Sequence, residues 1–279
     1  MGNIKKIDYL IETKNIKKRI VLLTDIHFFN KREKLYLDKI TEELKKIEYD
    51  YLCISGDLVD LSFIKEEELL IEWIKDVASI AKVIISLGNH DLTDNRKTHE
   101  FNFNGELYKK IRKIKNVKVI DNEVYVDSNI RFIGLTLPID YYYKYNENKN
   151  YFMRYVNNTF PVAYKDKYNI LLCHTPVPVV DKETLDKTRL FSNIQLILCG
   201  HMHGGLTPKC FRGILKGRGI IGPFLNIFPK NTYGIIKNSD EQAVVISSGI
   251  TTASHVNMFS FMDSFFIKEI TVIDLVSKK

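Results

Sequence analysis

Five short runs of this chain are apolar without alternation: RIVLLTD, YLCISGD, KVIISLGNHD, NILLCH and IQLILCGHMH. A strand with one wet face alternates, whereas an unbroken run rich in β-branched residues fits a strand buried on both faces. Amphipathic stretches separate the early runs. In KLYLDKITEELKKIEYD, Leu35, Ile40, Leu44 and Ile47 recur near helical spacing, and EEELLIEWIKDVASIA repeats the device. Strand, helix, strand is the βαβ signature, so the sheets are expected to be at least partly parallel. NIRFIGLTLP, QAVVISSGI and EITVIDLV read as further strands with less helix between them.

With 279 residues, 45% hydrophobic and 27% charged, the chain has the make-up of a globular protein with a sizeable core. No low-complexity linker or internal repeat divides it, so one domain over residues 1–279 is expected. Two stretches read as irregular: the Tyr- and Asn-rich Tyr141–Asn158, and a basic loop over residues 206–239. No apolar stretch approaches the ~20 residues that span a bilayer. The N-terminus mixes charge with apolar residues and does not read as a signal peptide. Met1-Gly2 opens like a myristoylation signal, but Lys6 stands where Ser or Thr is required. Cys53, Cys173 and Cys199 lie inside apolar runs and Cys210 in a loop, with no CxxC pair. A reducing, cytoplasmic setting is the expectation, with peripheral contact at the inner membrane face as its extension.

Each apolar run ends in residues that can bind a metal or move a proton. They deliver Asp25 and His27, then Asp57, then Asn89, His90 and Asp91, then His174, then His201 and His203. Five of the seven histidines stand in these positions. In open α/β sheets ligands gather beyond the carboxyl ends of strands, where side chains far apart in sequence converge. A mixture of carboxylate, amide oxygen and imidazole suits a pair of borderline divalent ions; Mg²⁺ or Ca²⁺ would prefer mostly oxygen. Two ions ~3.5–4 Å apart need a ligand that touches both, a task for a carboxylate. Gly56, Gly88, Gly200 and Gly204 flank the ligands where the backbone must bend or approach closely. Any one piece alone is commonplace, since a lone DxH is usually chance or a helix cap. All five together, each closing an apolar run, are not.

In this combination DIH, GDLVD, GNHD, H and GHMH resemble the signature blocks of the calcineurin-like metallophosphoesterases, over Asp25 to His203. GHMHGG followed by a long basic loop is similar to one bacterial subgroup with membrane-associated members. The resemblance implies an α/β fold, a two-sheet mixed β-sandwich flanked by helices in four layers, and a dinuclear site. By position, one ion would take Asp25, His27 and His203, and the other Asn89, His174 and His201, with Asp57 bridging. Mn²⁺ is the expected metal, and the same ligands accept Fe or Zn²⁺.

The chemistry so implied is a phosphodiesterase: a metal-bridging hydroxide attacks phosphorus in line, and His90 serves as general acid with Asp91 orienting its ring. Asp60 would support the metal ligands through hydrogen bonds. Where the protein-phosphatase branch has an Arg to grip a phosphate, this chain has Leu61, which favours diesters or anhydrides over phosphoprotein. From Leu206 to Ser239 there are six basic residues and no acidic one, against a net charge of +7. Lys209 and Arg212 of this loop are candidates for holding an anionic, small or lipid-linked phosphoester. The loop with its Phe211, Phe224, Leu225, Ile227 and Phe228 would otherwise meet an anionic membrane, or pack on the core by those same side chains. A DNA-processing nuclease and a catalytically silent scaffold are the alternatives. Nucleic acid is the weaker of the partners, because the charge is confined to one loop. His99 and His255 fall outside the blocks and read as ordinary surface or core histidines.

Overall fold

The unbroken apolar runs become interior strands. The computed structural model describes residues 4–28, 34–59, 66–92, 105–143, 149–161, 164–239, 241–251 and 265–278. These form two six-stranded sheets. The first is ordered β1 (Ile4–Thr13), β12 (Lys268–Ser277), β2 (Lys18–Leu23), β3 (Tyr51–Ser55), β4 (Lys82–Ser86), β5 (Val117–Val119). The second is ordered β10 (Gly234–Lys237), β11 (Ala243–Ile246), β9 (Leu196–Cys199), β8 (Tyr168–Cys173), β7 (Ile130–Leu135), β6 (Val124–Asp127). Both are mixed. Strands β2 to β5 run parallel while β12 pairs antiparallel with β2. Strands β7, β8, β9 and β11 run parallel, with antiparallel β6 and β10 at the two edges.

The helices described are α1 (Lys34–Leu44), α2 (Glu67–Ile80), α3 (Asn89–Leu92), α4 (Glu106–Arg112), α5 (Asp140–Tyr143), α6 (Lys149–Thr159), α7 (Lys182–Lys187) and α8 (Arg212–Leu215). Each strand needs apolar residues on both faces because each sheet is covered twice. Along β2, Val21 and Leu23 join Leu37 and Ile40 of α1 and Leu70 and Ile74 of α2 in the outer layer. Ile20 and Leu22 point the other way, into a core shared with Phe132, Ile170, Leu172 and Leu198 of the second sheet. The outer face of the second sheet is closed by Phe152, Met153 and Val156 of α6. The result is helix, sheet, sheet, helix, the four layers that the resemblance implied.

Two stretches differ from the sequence reading. The region over Tyr141–Asn158 was expected to be irregular, but Lys149–Thr159 is a helix whose buried Phe152, Met153 and Val156 form one face. The charge-and-apolar N-terminus forms β1, an edge strand paired in parallel with β12 over its whole length. Among the described residues no helix is long and apolar enough to cross a membrane.

Candidate metal centre

Where β2, β3, β4, β8 and β9 end, their ladders continue into the loops and hold those loops in register. Asp25 N donates to Gly56 O at 3.2 Å, His27 N to Asp57 O at 3.0 Å, and Gly200 N to His174 O at 2.8 Å. Hydrogen bonds tie one sheet to the other beside the site, among them Ser55 Oγ to Leu198 O at 2.8 Å and Ile250 N to Thr24 O at 3.1 Å. The carboxyl ends of both sheets therefore open on one place.

All the residues expected to bind metal meet there or border it. Asp25, His27, Asp57, Asn89, His174 and His201 are buried, and His203 is half-buried. Ligand atoms of Asp25, His27 and His203 lie within 4.8 Å of one another, as do those of Asp57, His174 and His201. Asp57 Oδ2 stands between the two groups, 3.6 Å from His27 Nε2 and 2.9 Å from His174 Nε2. Asp25 Oδ1 approaches Nε2 of His203 at 3.5 Å, of His174 at 3.8 Å and of His27 at 4.0 Å. Asn89 opens the short helix α3 beside this set.

The hydrogen bonds around the cage decide which nitrogens face inward. His174 Nδ1 lies 2.8 Å from the Ser55 carbonyl and His203 Nδ1 lies 2.9 Å from the Thr251 carbonyl. A carbonyl has no proton to give, so each Nδ1 carries the hydrogen, and around a bound cation the neutral ring would present its Nε2 lone pair to the centre. These lone pairs look at carboxylate oxygens, which are acceptors too. With the ring neutral, Asp57 Oδ2 and His174 Nε2 are buried 2.9 Å apart and neither can donate to the other. Facing acceptors need a cation between them.

Without an ion, a proton fills the same place. Burial disfavours a charged His174, yet the Asp57 and Asp25 carboxylates outweigh it and hold the ring's pKa up at about 9. His201 goes the other way: burial, then the charge of His174, drives it well below the usual histidine range. Burial opposes the ionised Asp57, but His174, His90 and His27 overcome it and hold this carboxyl well below the usual range. Two divalent ions fit this donor set, with Asp25, His27 and His203 on one side, His174, His201 and Asn89 on the other, and Asp57 between. Small residues make the room. A Cβ on Gly56, at φ +80°, would strike the His174 ring, and one on Gly200 would strike the Asp25 carboxylate.

His90 stands half-buried at the edge of the cage. Its ring meets that of His27 edge-on, with centroids 4.6 Å apart at 83°. Its ring nitrogen also groups with His27 and Asp57 within 4.8 Å, and its backbone N donates to Asp57 Oδ1 at 2.8 Å. Asp91 was expected to orient the His90 ring; the structure gives it another task. Its Oδ2 accepts from Asp57 N and Gly88 N, both at 2.8 Å, and its Oδ1 accepts from Val59 N at 3.0 Å and Tyr108 Oη at 2.7 Å. Four donors fill the acceptor sites of one carboxylate, so Asp91 fastens the loops that carry Asp57 and Asn89. Burial and the nearby Asp57 charge push its pKa up to about 6.

The basic loop divides. Lys209 is exposed. The Arg212 guanidinium turns to the fold: Nη2 donates to Ser248 Oγ at 2.5 Å, Nη1 lies 3.7 Å from Glu269 Oε2, and the Tyr233 ring packs 4.2 Å from its carbon. Arg212 thus anchors its loop to the strand end where Gly249 packs against Asp25. Asp60, Leu61, His99 and His255 lie outside the described residues. Sequence reasoning missed Tyr142, whose ring packs 5.1 Å from that of His201 and closes the cage from the second sheet. It also missed Thr251, whose carbonyl orients His203. The signal for Thr251 was present: QAVVISSGI is one more apolar run, and its end reaches the same place.

Two facing mixed sheets bring a histidine- and carboxylate-lined cage to their shared strand ends. Residues 18–205 match the calcineurin-like phosphoesterase family. The chain belongs to that family. It is 26% identical over 249 residues to an uncharacterized metallophosphoesterase of Helicobacter pylori, covering 88% of this chain and 58% of that one. It is 28% identical over 207 residues to an uncharacterized metallophosphoesterase of Campylobacter jejuni, covering 72% of this chain and 48% of that one. The chain thus spans about half the length of these relatives. Among solved structures it is similar to a dimetal phosphatase from Danio rerio, with a TM-score of 0.41 at 10% identity over 83% of this chain and 87% of that one.

Proposed function

We propose that this protein is a phosphodiesterase that depends on two divalent ions and acts on a small or lipid-linked phosphoester. The observation that supports it is the make-up of the cage: imidazoles and two carboxylates, with the Arg212 guanidinium spent on Ser248 and Glu269 rather than turned to the substrate. When bound, such ions bring the pKa of water from about 15.7 down to about 7 and offset charge on the phosphoryl oxygens. Two divalent ions would bring four positive charges; Asp25, Asp57 and the attacking hydroxide would offset three, and the one left would suit the single charge of a diester. A monoester dianion would call for a further cationic clamp.

The chain's own residues do the rest. Asp25 is held by the backbone N of His201, 3.1 Å from both carboxylate oxygens, so β2 and β9 keep their ligands together. The carbonyls of Ser55 and Thr251 fix the tautomers of His174 and His203. His90, at the edge of the cage with its backbone fastened to Asp57, would give a proton to the leaving alkoxide.

Hydrolysis with Mn²⁺ of an aryl phosphodiester, an aryl phosphomonoester and single-stranded DNA tests the reading. The aryl diester should be turned over fastest. A faster monoester rejects the diester preference, faster DNA points to a nuclease, and inactivity on all three after metal loading leaves a scaffold. In the His90→Ala variant both metals should stay bound, while kcat on a diester with an alkyl leaving group falls by ~10²–10⁴. A loss of metal instead would make His90 a ligand.

A further inference from the structure

We propose that the hairpin after the last histidine block is a docking element for an anionic lipid bilayer: the tip over Ile221–Phe228 enters the apolar layer, and the basic side chains at its base meet the headgroups. The hairpin is built rather than loose. Ile221 and Ile227 pair as an antiparallel bridge, Gly222 N donates to Asn226 O at 2.8 Å, and Phe228 N donates to Ile220 O at 3.0 Å. Its root is tied to the site, since Ile220 N and Ile221 N both donate to Gly205 O, at 2.7 and 3.0 Å, two residues after His203.

This frame presents Leu225, Ile227 and Phe228 to water. Leu225 is 82% exposed, Ile227 71% and Phe228 61%. The sequence left open that Leu225, Ile227 and Phe228 pack on the core, and these three do not. Leu225 and Phe228 also sit at φ +58° and +52°, a backbone region that bulky residues avoid. A fold that holds apolar groups outward in a costly conformation gains nothing by it until something apolar covers them.

Charge selects what covers them. Around the tip, Lys216, Arg218 and Lys230 are exposed, and no acidic residue occurs from Leu206 to Ser239. A second copy of this chain would bring the same basic loop and a net charge of +7, and would be repelled. A nucleic acid offers phosphates but no apolar interior for three adjacent aliphatic and aromatic groups. An anionic bilayer offers both, with each Lys or Arg adding to the attraction at its surface.

Co-sedimentation with vesicles is the test, and its readout does not depend on the proposed phosphodiesterase activity. The full chain should bind vesicles of phosphatidylcholine with phosphatidylglycerol, more weakly at high salt, and bind phosphatidylcholine alone poorly. Replacing the tip by Leu225→Ser, Ile227→Ser and Phe228→Ser together should lower partitioning on the order of a hundredfold. Replacing Lys216, Arg218 and Lys230 by Gln should lower it about fivefold per charge. All six positions are exposed, so thermal unfolding should stay at the parent value and confirm that the variants fold. The proposal is overturned if anionic vesicles are not bound, or if the serine variant binds them as the parent does. It is equally overturned if light scattering shows a dimer in solution that the serine variant dissolves.

Discussion

Asp25, His27, Asp57, His201 and His203 have φ of +53°, +48°, +51°, +69° and +45°. Residues with side chains avoid that region at a cost of order 1 kcal/mol or more each, so something nearby must hold five of them there. Asp91 does this for Asp57. Its carboxylate binds the backbone N of Asp57, Val59 and Gly88 at 2.8, 3.0 and 2.8 Å. An Asp91→Ala variant leaves those buried donors unsatisfied and should lose ~3 kcal/mol of stability. It should also bind metal more weakly, although Asp91 is no ligand; elemental analysis showing full metal content would refute the role. The second prediction concerns His174. In the metal-free folded chain its pKa is held at about 9, against ~6.5 in an unfolded chain. A raised pKa means that the folded state keeps a proton that the unfolded state releases. Its stabilisation is complete below pH ~6.5 and is lost as pH rises through about 9, by up to roughly 3 kcal/mol for so buried a ring. Melting of the metal-free protein should therefore shift downward across that window. The metal-loaded protein should not show the shift, because the ion replaces the proton. A flat profile for the metal-free chain would mean that His174 stays neutral there.

At the scale of elements, Arg212 shows how a loop is tied to a sheet. Glu269 at the start of β12 accepts from Ser248 Oγ at 2.8 Å and Thr271 Oγ1 at 2.6 Å and faces the Arg212 guanidinium. Removing one partner of a buried pair strands the other, at ~3–5 kcal/mol. Arg212→Met should therefore lower the unfolding midpoint and leave KM for a soluble diester unchanged; a raised KM would return this arginine to the substrate. In the sequence Arg212 looked like any other cation of the basic loop, because its partners lie far along the chain and leave no local pattern. Elements with a strong local signal were legible: β2, β3, β4, β8 and β9 as unbroken apolar runs with the candidate ligands at their ends, and α1 and α2 by their apolar stripes. Helix α6 was not, since its Tyr- and Asn-rich sequence buries only Phe152, Met153 and Val156. Strands β5, β6 and β10 have three or four residues each, too short for alternation to register. The candidate metal ligands could be picked out because chemistry restricts their residue types. The partner of Asp91 could not, because any residue supplies a backbone N–H.

For the molecule as a whole, the cage joins two halves. The first sheet with its strand-end loops supplies Asp25, His27, Asp57 and Asn89, and the second supplies His174, His201 and His203. Between the sheets the shared core is apolar, from Ile20 and Leu22 to Leu172 and Leu198, and needs no metal. At the rim the two sets of loops are joined by hydrogen bonds between single residues, among them Ser55 to Leu198, Ile250 to Thr24 and His201 to Asp25. Ions held by both sets of ligands would act there as cross-links, contributing about 2.7 kcal/mol at a free concentration a hundred times Kd. The gain is local, since the loops order on binding while the strands are ordered already. Chelation should therefore do two separable things. The unfolding midpoint should fall by an amount that depends on metal concentration. Hydrogen exchange should quicken at residues 24–28, 56–59, 88–92 and 200–205, which carry the ligands, and stay slow in β2, β3, β8 and β9 beneath them. If exchange quickened equally in those strands, the ions would be holding the sandwich together and the apolar core between the sheets would be too weak to stand alone. If neither loops nor strands responded, the cage would not be a metal site.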